Sequence, residues 1–275
     1  MMTTSALATT PGATTTVGKV TYRGVLRSEW AKFWSLRSSW ITLSVSVVIL
    51  VIFGVMAAYT YSSAPGASTD GPWASEGAAD AVSLALMGAT FASLVVGSLG
   101  VLMFAGEYST GMIRSTLAAV PRRLPVLFAK IAVVGPLVLV LASVGALMAF
   151  LLGSGSLSDE QIAMSLGDDG VVRSLLGAGV YLALVAVFGV ALGALVRSPA
   201  GGITALVGIM MILPNLISLL SDSLQPYFPS SAGEAVFSLH QQSGSLSPAA
   251  GLAVFAGWVA LASGAAAIRL RRTDA

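Results

Sequence analysis

Six long apolar runs constrain this chain more than any other feature. Each is near the roughly 20 residues that a helix needs to cross the hydrocarbon core of a bilayer. Charged residues make up only 9% of the 275 residues, against roughly 25% in soluble domains, so a water-soluble surface could not be covered. We therefore predict an all-α integral membrane protein with one six-helix transmembrane domain over residues 40–268. The predicted spans are 40–59, 82–105, 126–152, 175–196, 203–220 and 249–268.

The segments that flank this domain differ from it in composition. Residues 1–19 are rich in Thr, Ala and Ser and are predicted to be a disordered cytoplasmic tail. In residues 20–39, Trp30 and Trp34 recur with other apolar residues at helical spacing among basic residues, which is typical of an amphipathic helix in the membrane interface. The alternative is that this stretch continues the first membrane helix. Residues 269–275 are predicted to be a cytoplasmic C-terminal tail.

The positions of lysine and arginine predict the orientation, because positive residues near helix ends tend to stay in the cytoplasm. With the N-terminus inside, only Arg173 falls outside. The pI near 9.1 is then explained by topology, and nucleic acid is not needed as a partner. Both termini are predicted to be cytoplasmic. The residues placed inside are Lys19, Arg23, Arg27, Lys32, Arg37, Arg114, Arg122, Arg123, Lys130, Arg197, Arg269, Arg271 and Arg272.

The loop after the second span is longer than a plain connector. Residues 109–120 can form a short amphipathic helix, with Ser109 or Thr110 as its N-cap and Pro121 at its end. Such a helix would lie parallel to the membrane and be accessible to a cytoplasmic partner. The residues expected on one face are Met112, Ile113, Thr116 and Leu117.

Glu107 lies where the second span leaves the lipid. An ionisable group in that position suggests a defined partner, for which we consider Arg114 or a residue of another subunit. From the residues alone, two interpretations of the loop remain open. It docks on a cytoplasmic partner, or it is a solvated loop whose arginines only set the topology.

Lys130 and His240 are polar residues with two interpretations each. Lys130 could bind an anionic group of a substrate, but we expect its long side chain to reach the cytoplasmic headgroups. His240 could be a proton-sensitive site, although a lone histidine in an external loop is most often only a polar residue.

Four small or rigid residues bear on helix shape and packing. Pro136 and Pro214 lie inside the third and fifth spans, where they predict kinks rather than breaks. Gly189 and Gly193 form a small-xxx-small pair in the fourth span, a pattern common in packed membrane helices.

Several functional classes are disfavoured by what the sequence lacks. The predicted spans contain essentially no Asp, Glu or His, which argues against an intramembrane enzyme and against proton-driven transport. The chain has no cysteine and one histidine, so a thiolate or multi-histidine metal site is not expected. A phosphate-binding loop needs Gly-Lys-Ser or Gly-Lys-Thr, but the only Gly-Lys here, Gly18-Lys19, precedes Val20.

Three segments together resemble the permease subunits of ABC-2 type transporters: 27–32, 106–123 and 271–274. The similarity is closest to the drug- and bacteriocin-exporter branch, in which the ATPase is a separate chain. Members of that family carry a Glu-x-x-Lys pattern in an elbow helix, matched by Glu29 and Lys32. They also carry a Glu-Tyr-x-x-Gly-x-x-Arg loop that ends in Pro and Arg. That loop is matched by Glu107, Tyr108, Gly111, Arg114, Pro121 and Arg122.

The resemblance implies roles for these residues. The interfacial helix over 20–39 becomes the elbow helix, with Glu29, Trp30, Lys32 and Trp34 as its marker residues. The loop becomes the coupling helix that seats in the ATP-binding subunit. Its expected contact residues are Glu107, Tyr108, Gly111, Met112, Arg114, Pro121 and Arg122.

The resemblance also implies an assembly and an activity. Two permease chains and two ATP-binding chains would form an exporter in the bacterial plasma membrane, with ATP and magnesium bound by the partner and no cofactor on this chain. The second and fifth helices would form the dimer interface, in competition with the glycines of the fourth. Short outer helices are expected within 222–248 and could dip back into the membrane. The apolar spans suit a hydrophobic or amphipathic cargo such as an antibiotic, a peptide or a lipid. The alternative function is a membrane anchor or sensor that recruits a partner but transports nothing.

Overall fold

A computed structural model describes residues 21–61, 80–120, 122–157, 162–240 and 244–272. The predicted tail over 1–19, Pro121 and residues 273–275 lie outside this described part. Helical elements account for the architecture of the described residues, and six spans are long and apolar enough to cross a membrane, which confirms the predicted fold class. The helices are α1 Tyr22–Ser35, α2 Arg37–Thr60, α3 Ala81–Ala85, α4 Ala89–Ser109, α5 Met112–Ala119, α6 Leu124–Ser154, α7 Val171–Val196, α8 Pro199–Val207, α9 Leu213–Ser218, α10 Pro229–Phe237 and α11 Pro248–Arg272.

Helix α7 forms the centre of the bundle and packs against α4, α6 and α11. The close approach of α4 and α7 depends on glycine. A Cβ on Gly189 would collide with the backbone of Gly97, and a Cβ on Gly193 would lie 2.6 Å from the carbonyl oxygen of Val101. The α7 glycines therefore pack within the chain, and the idea that they compete for the dimer interface was wrong.

The second span differs from the single helix predicted over 82–105. It consists of α3, a turn at 86–88, and α4. The turn brings Gly88 against α2, where a Cβ would lie 2.7 Å from the carbonyl oxygen of Leu50. Helix α4 also continues to Ser109, one turn beyond the predicted end, and this places Glu107 inside the helix.

The two spans that contain proline differ in whether the α-helix continues past it. Helix α6 runs through Pro136 without a break, as predicted. In the fifth span, α8 is followed by a π-helical turn, Gly208–Ile212, and then by α9. Pro214 lacks an N–H to continue the helical bonding, and the side-chain amide of Asn215 donates to the carbonyl of Met211 at 2.6 Å.

Helices α1 and α2 are separate. Leu36 lies between them in an extended conformation (φ −88°, ψ 106°), which ends α1 and lets α2 start in another direction. Helix α1 packs against α6 and buries Val25, Glu29 and Phe33. The described part of 20–39 is thus not a simple continuation of the first span.

The two ends of the bundle differ in charge. We call one the basic end, which holds α1, α5 and the C-terminus of α11. The opposite, acidic end holds α3, the start of α7, and α10. Helix α10 packs between α7 and α11, and a Cβ on Gly177 of α7 would lie 2.7 Å from the carbonyl oxygen of Val236. Of the short helices expected within 222–248, the described residues contain a 3₁₀ turn, Gln225–Tyr227, and α10, which lies beside the ends of the spans.

Candidate functional site

Helix α5 is the short helix predicted in the loop at the basic end, but it starts later than expected. Gly111 precedes it in a left-handed conformation (φ 73°), which favours glycine. Ser109 and Thr110 do not cap it; their hydroxyls donate to the carbonyl of Gly106, at 2.9 and 3.0 Å, in the last turn of α4. The N-cap prediction was wrong because Ser109 is the last residue of α4 and Thr110 is its C-cap.

Helix α5 has one face toward the protein and one toward solvent. Ile113 is 3% exposed and packs into the core, and Thr116 and Leu117 are half-buried. Met112 was predicted to share this face, but it is 44% exposed, as expected for a residue at the very start of the helix beside Gly111. Arg114 is also exposed. The basic end therefore presents a short helix with a free apolar and basic face.

Behind this helix lies a cluster of four charged residues, Glu29, Lys32, Glu107 and Lys130, which we call the charge cluster. The ammonium of Lys130 lies 2.7 Å from Oε2 of Glu29 and 2.6 Å from Oε1 of Glu107. The ammonium of Lys32 lies 2.7 Å from Oε1 of Glu29 and 2.9 Å from Oε1 of Glu107. Two carboxylates and two ammonium groups thus neutralise one another.

The charge cluster joins three helices and is hydrogen-bonded to a fourth. Glu29 and Lys32 belong to α1, Glu107 to α4 and Lys130 to α6. The ammonium of Lys32 also donates to the hydroxyl of Thr116 on α5, at 3.3 Å. Helix α5 is thus linked to α1 by a hydrogen bond, and α1 is linked to α4 and α6 by ion pairs.

The two lysines differ in burial. The side chain of Lys130 is 1% exposed and that of Lys32 is 26% exposed. Burial lowers the pKa of Lys32, but the hydrogen bonds and charges of Glu29 and Glu107 outweigh it, so the pKa lies above the ordinary value. Lys32 therefore stays protonated over the physiological range, and the contacts it makes do not depend on pH there.

Two sequence predictions about the charge cluster were wrong. Glu107 pairs with Lys32 and Lys130 of its own chain, and not with the predicted Arg114. Lys130 does not reach toward headgroups, because its ammonium is buried between two carboxylates. The missed signal was the match between two acidic and two basic residues near the same membrane boundary, since ionisable groups at that depth usually pair with one another.

The residues predicted to contact the ATP-binding subunit fall into two groups. Gly111, Met112, Arg114 and Arg122 are exposed at the basic end. Glu107 is buried, and Tyr108 is half-buried with its ring 5.2 Å from the guanidinium carbon of Arg197. The first group is available to a partner, whereas the second holds α4 in place.

The marker residues predicted for the elbow helix divide in the same way. Glu29 and Lys32 belong to the charge cluster, whereas Trp30 and Trp34 are exposed on α1. The rings of Trp34 and Trp40 lie 4.4 Å apart across the bend at Leu36. Exposed tryptophans at a helix bend are typical of the membrane–water boundary.

His240 lies at the acidic end and has a defined neighbour. Its Nδ1 is 3.0 Å from Oδ2 of Asp80, and Asp80 also caps α3 by accepting from the backbone N–H of Ser83 at 2.7 Å. This contact ties the segment after α10 to the start of the second span.

Comparison with known proteins bears on the whole bundle. A family model described as ABC-2 family transporter protein matches residues 25–212, from the first turn of α1 to the π-helical turn of the fifth span. The chain belongs to this family. No curated protein matches it.

Family membership confirms the resemblance to the ABC-2 permeases. This ABC-2 chain is a multi-pass membrane permease subunit of an ABC transporter, a transport subunit and not itself the catalytic one. An ABC-2 permease implies an ABC ATP-binding partner in general. The match includes most of α1, all of α5 and the whole charge cluster.

Proposed function

We propose that this permease exports a hydrophobic or amphipathic compound across the bacterial plasma membrane. Its basic end, with both termini, would face the cytoplasm. The exposed face of α5 would dock on a separate ATP-binding subunit that holds ATP and magnesium. Family membership and the lysine and arginine distribution support this orientation.

One observation carries the docking proposal. Helix α5 exposes Met112 and Arg114 while Thr116, on its other side, contacts the charge cluster. An exposed surface that is fixed to three further helices can both bind a partner and pass on its motion. A solvated loop that only set the topology would not need such anchoring.

The elbow helix fits the same arrangement. Helix α1 carries exposed arginines and tryptophans on one side and the charge cluster on the other. We infer that it lies in the cytoplasmic interface of the bilayer, where basic and aromatic side chains meet headgroups. It would then resist movement of α5 relative to the membrane.

The assembly we propose contains two permease and two ATP-binding chains. The fifth span buries little of its surface within the chain and exposes Ile212 and Leu216. Because Gly189 and Gly193 of α7 pack against α4 within the chain, the fifth span is a better candidate than α7 for the permease–permease contact.

The docking proposal is tested by charge reversal on the exposed face. Arg114→Glu should abolish co-purification with the cognate ATP-binding subunit and stimulation of its ATPase. The matched control is Arg23→Glu, which reverses an exposed arginine of α1 outside α5. Undiminished association and ATPase stimulation with Arg114→Glu would refute docking through α5. Association without ATP-dependent transport of any cargo in vesicles would favour the anchor or sensor alternative.

A further inference from the structure

The acidic end contains a cavity of about 720 Å³. Its walls come from α3 and the turn after it, from the segment that follows α9, from α10, and from the segment before α11. Small-molecule sites are typically 300–1,000 Å³ and combine apolar walls with a few polar groups. The cavity thus has the size of a binding site.

The walls of this cavity have two characters. Leu86, Met87, Phe237 and Leu246 supply apolar and aromatic surface. Two carboxylates, Asp222 and Glu234, also line it, and no lysine or arginine does so among the described residues. The cavity therefore offers negative charge beside an apolar surface.

Glu234 is the central polar group. It lies on the face of α10 opposite Ala232, Gly233 and Val236, which pack against the bundle. Within the described part of the chain its carboxylate makes no hydrogen bond and no ion pair. The side chain of Glu234 is exposed and lines the cavity. The surrounding protein raises the pKa of its carboxyl, because the charged form is disfavoured there. A cation in the cavity would provide a partner for the charged form.

The other titratable group of the cavity is already paired. His240 contacts Asp80 at 3.0 Å, which leaves Glu234 and Asp222 as the carboxylates open to a ligand. The guanidinium of Arg173 donates to the carbonyl of Ser238 at 2.9 Å, and Arg173 is not part of the cavity wall. The free charge in the cavity is therefore negative.

We propose that this cavity binds an organic cation with an apolar body, with the positive group at Glu234 and the body against Leu86, Met87 and Phe237. An inorganic ion fits less well, because apolar walls contain no ligands for it. The described residues also contain no group of three carboxylate or imidazole ligands close enough to hold a metal. Glu234 lies outside the residues matched by the family model, whereas Leu86 and Met87 lie within them.

The test uses tetraphenylphosphonium, a permanent apolar cation, and tetraphenylborate, an anion of the same shape. The whole chain is purified in neutral detergent, and equilibrium dialysis measures binding above the protein-free micelle background. Saturable binding of the cation and no saturable binding of the anion are expected. Equal binding of both ions would overturn the proposal.

Variants locate the binding in the cavity. Glu234→Gln should weaken cation binding by about tenfold or more, because a bond to a charged group is lost. The matched control, Asp169→Asn, removes an exposed carboxylate of the same end that does not line the cavity, and it should leave binding unchanged. Leu246→Trp places a larger side chain in the cavity wall without changing its charge and should also weaken binding. Unchanged binding in Glu234→Gln or in Leu246→Trp would overturn the assignment.

Discussion

Replacement of Lys130 by methionine is the sharpest perturbation of the charge cluster. The change keeps the length and apolar character of the side chain but removes an ammonium that is 1% exposed. Glu29 and Glu107 would then share Lys32 alone, and one negative charge at the edge of the bundle would be uncompensated. Removal of one partner of a buried ion pair typically costs about 3–5 kcal/mol.

The expected result is a large loss of thermal stability. For a chain of this size, a loss of that order corresponds to a decrease in Tm of roughly 6–20 °C. Lys32→Met should cost less, because Lys32 is partly exposed and Lys130 still contacts both carboxylates. Thermal unfolding of the purified variants in detergent measures both.

A second change separates charge imbalance from loss of packing. Lys130→Met combined with Glu29→Gln leaves one carboxylate, Glu107, and one ammonium, Lys32. This pair is neutral, so at least half of the lost stability should return. A Lys130→Met variant that unfolds within about 2 °C of the unmodified chain would refute the buried-pair reasoning. A double variant no more stable than Lys130→Met would refute it as well.

Three further perturbations test other parts of the fold. Glu234→Gln should raise Tm above pH 5 and have little effect at pH 4. Because the pKa of the Glu234 carboxyl is raised, the free energy of unfolding falls as pH rises from the ordinary pKa of 4.5 through the raised one, and the amide removes that loss. A pH series of thermal melts with no difference between the variant and the unmodified chain would contradict this. Gly189→Leu should prevent folding by forcing α7 away from α4, whereas Gly257→Ala, which meets nothing within 4 Å, should be neutral in the same expression and gel-filtration assay. Because the chain has no cysteine, Leu216→Cys should form an intermolecular disulfide in membranes and Ile52→Cys should not; the reverse pattern would move the dimer contact to α2.

The six spans could be predicted from the sequence because the bilayer imposes a length and an apolar composition on each of them. The breaks within them could not. The turn at 86–88 depends on how closely Gly88 approaches α2, a contact between segments that are distant in sequence. The π-helical turn at 208–212 lies next to Pro214, and the proline in the sequence predicts a local distortion but not its form.

The pairing within the charge cluster could not be predicted from the sequence either. Motif resemblance identified Glu29, Lys32 and Glu107 as separate markers of two elements, but the four-residue pairing depends on how α1 and α6 meet in space. Lys130 was misinterpreted because a single lysine near a helix end usually reaches the headgroups. The positions of α1 and α4 against α6 enclose it.

Cross-linking from neighbouring positions on α5 tests the central claim most directly. A photo-reactive residue at Met112, which is exposed, should cross-link to the cognate ATP-binding subunit in membranes, and the yield should change when ATP is added. The same residue at Ile113, which is buried, should cross-link within the permease. Absence of a cross-link to the ATP-binding subunit from Met112, in a complex that hydrolyses ATP and transports, would contradict the account.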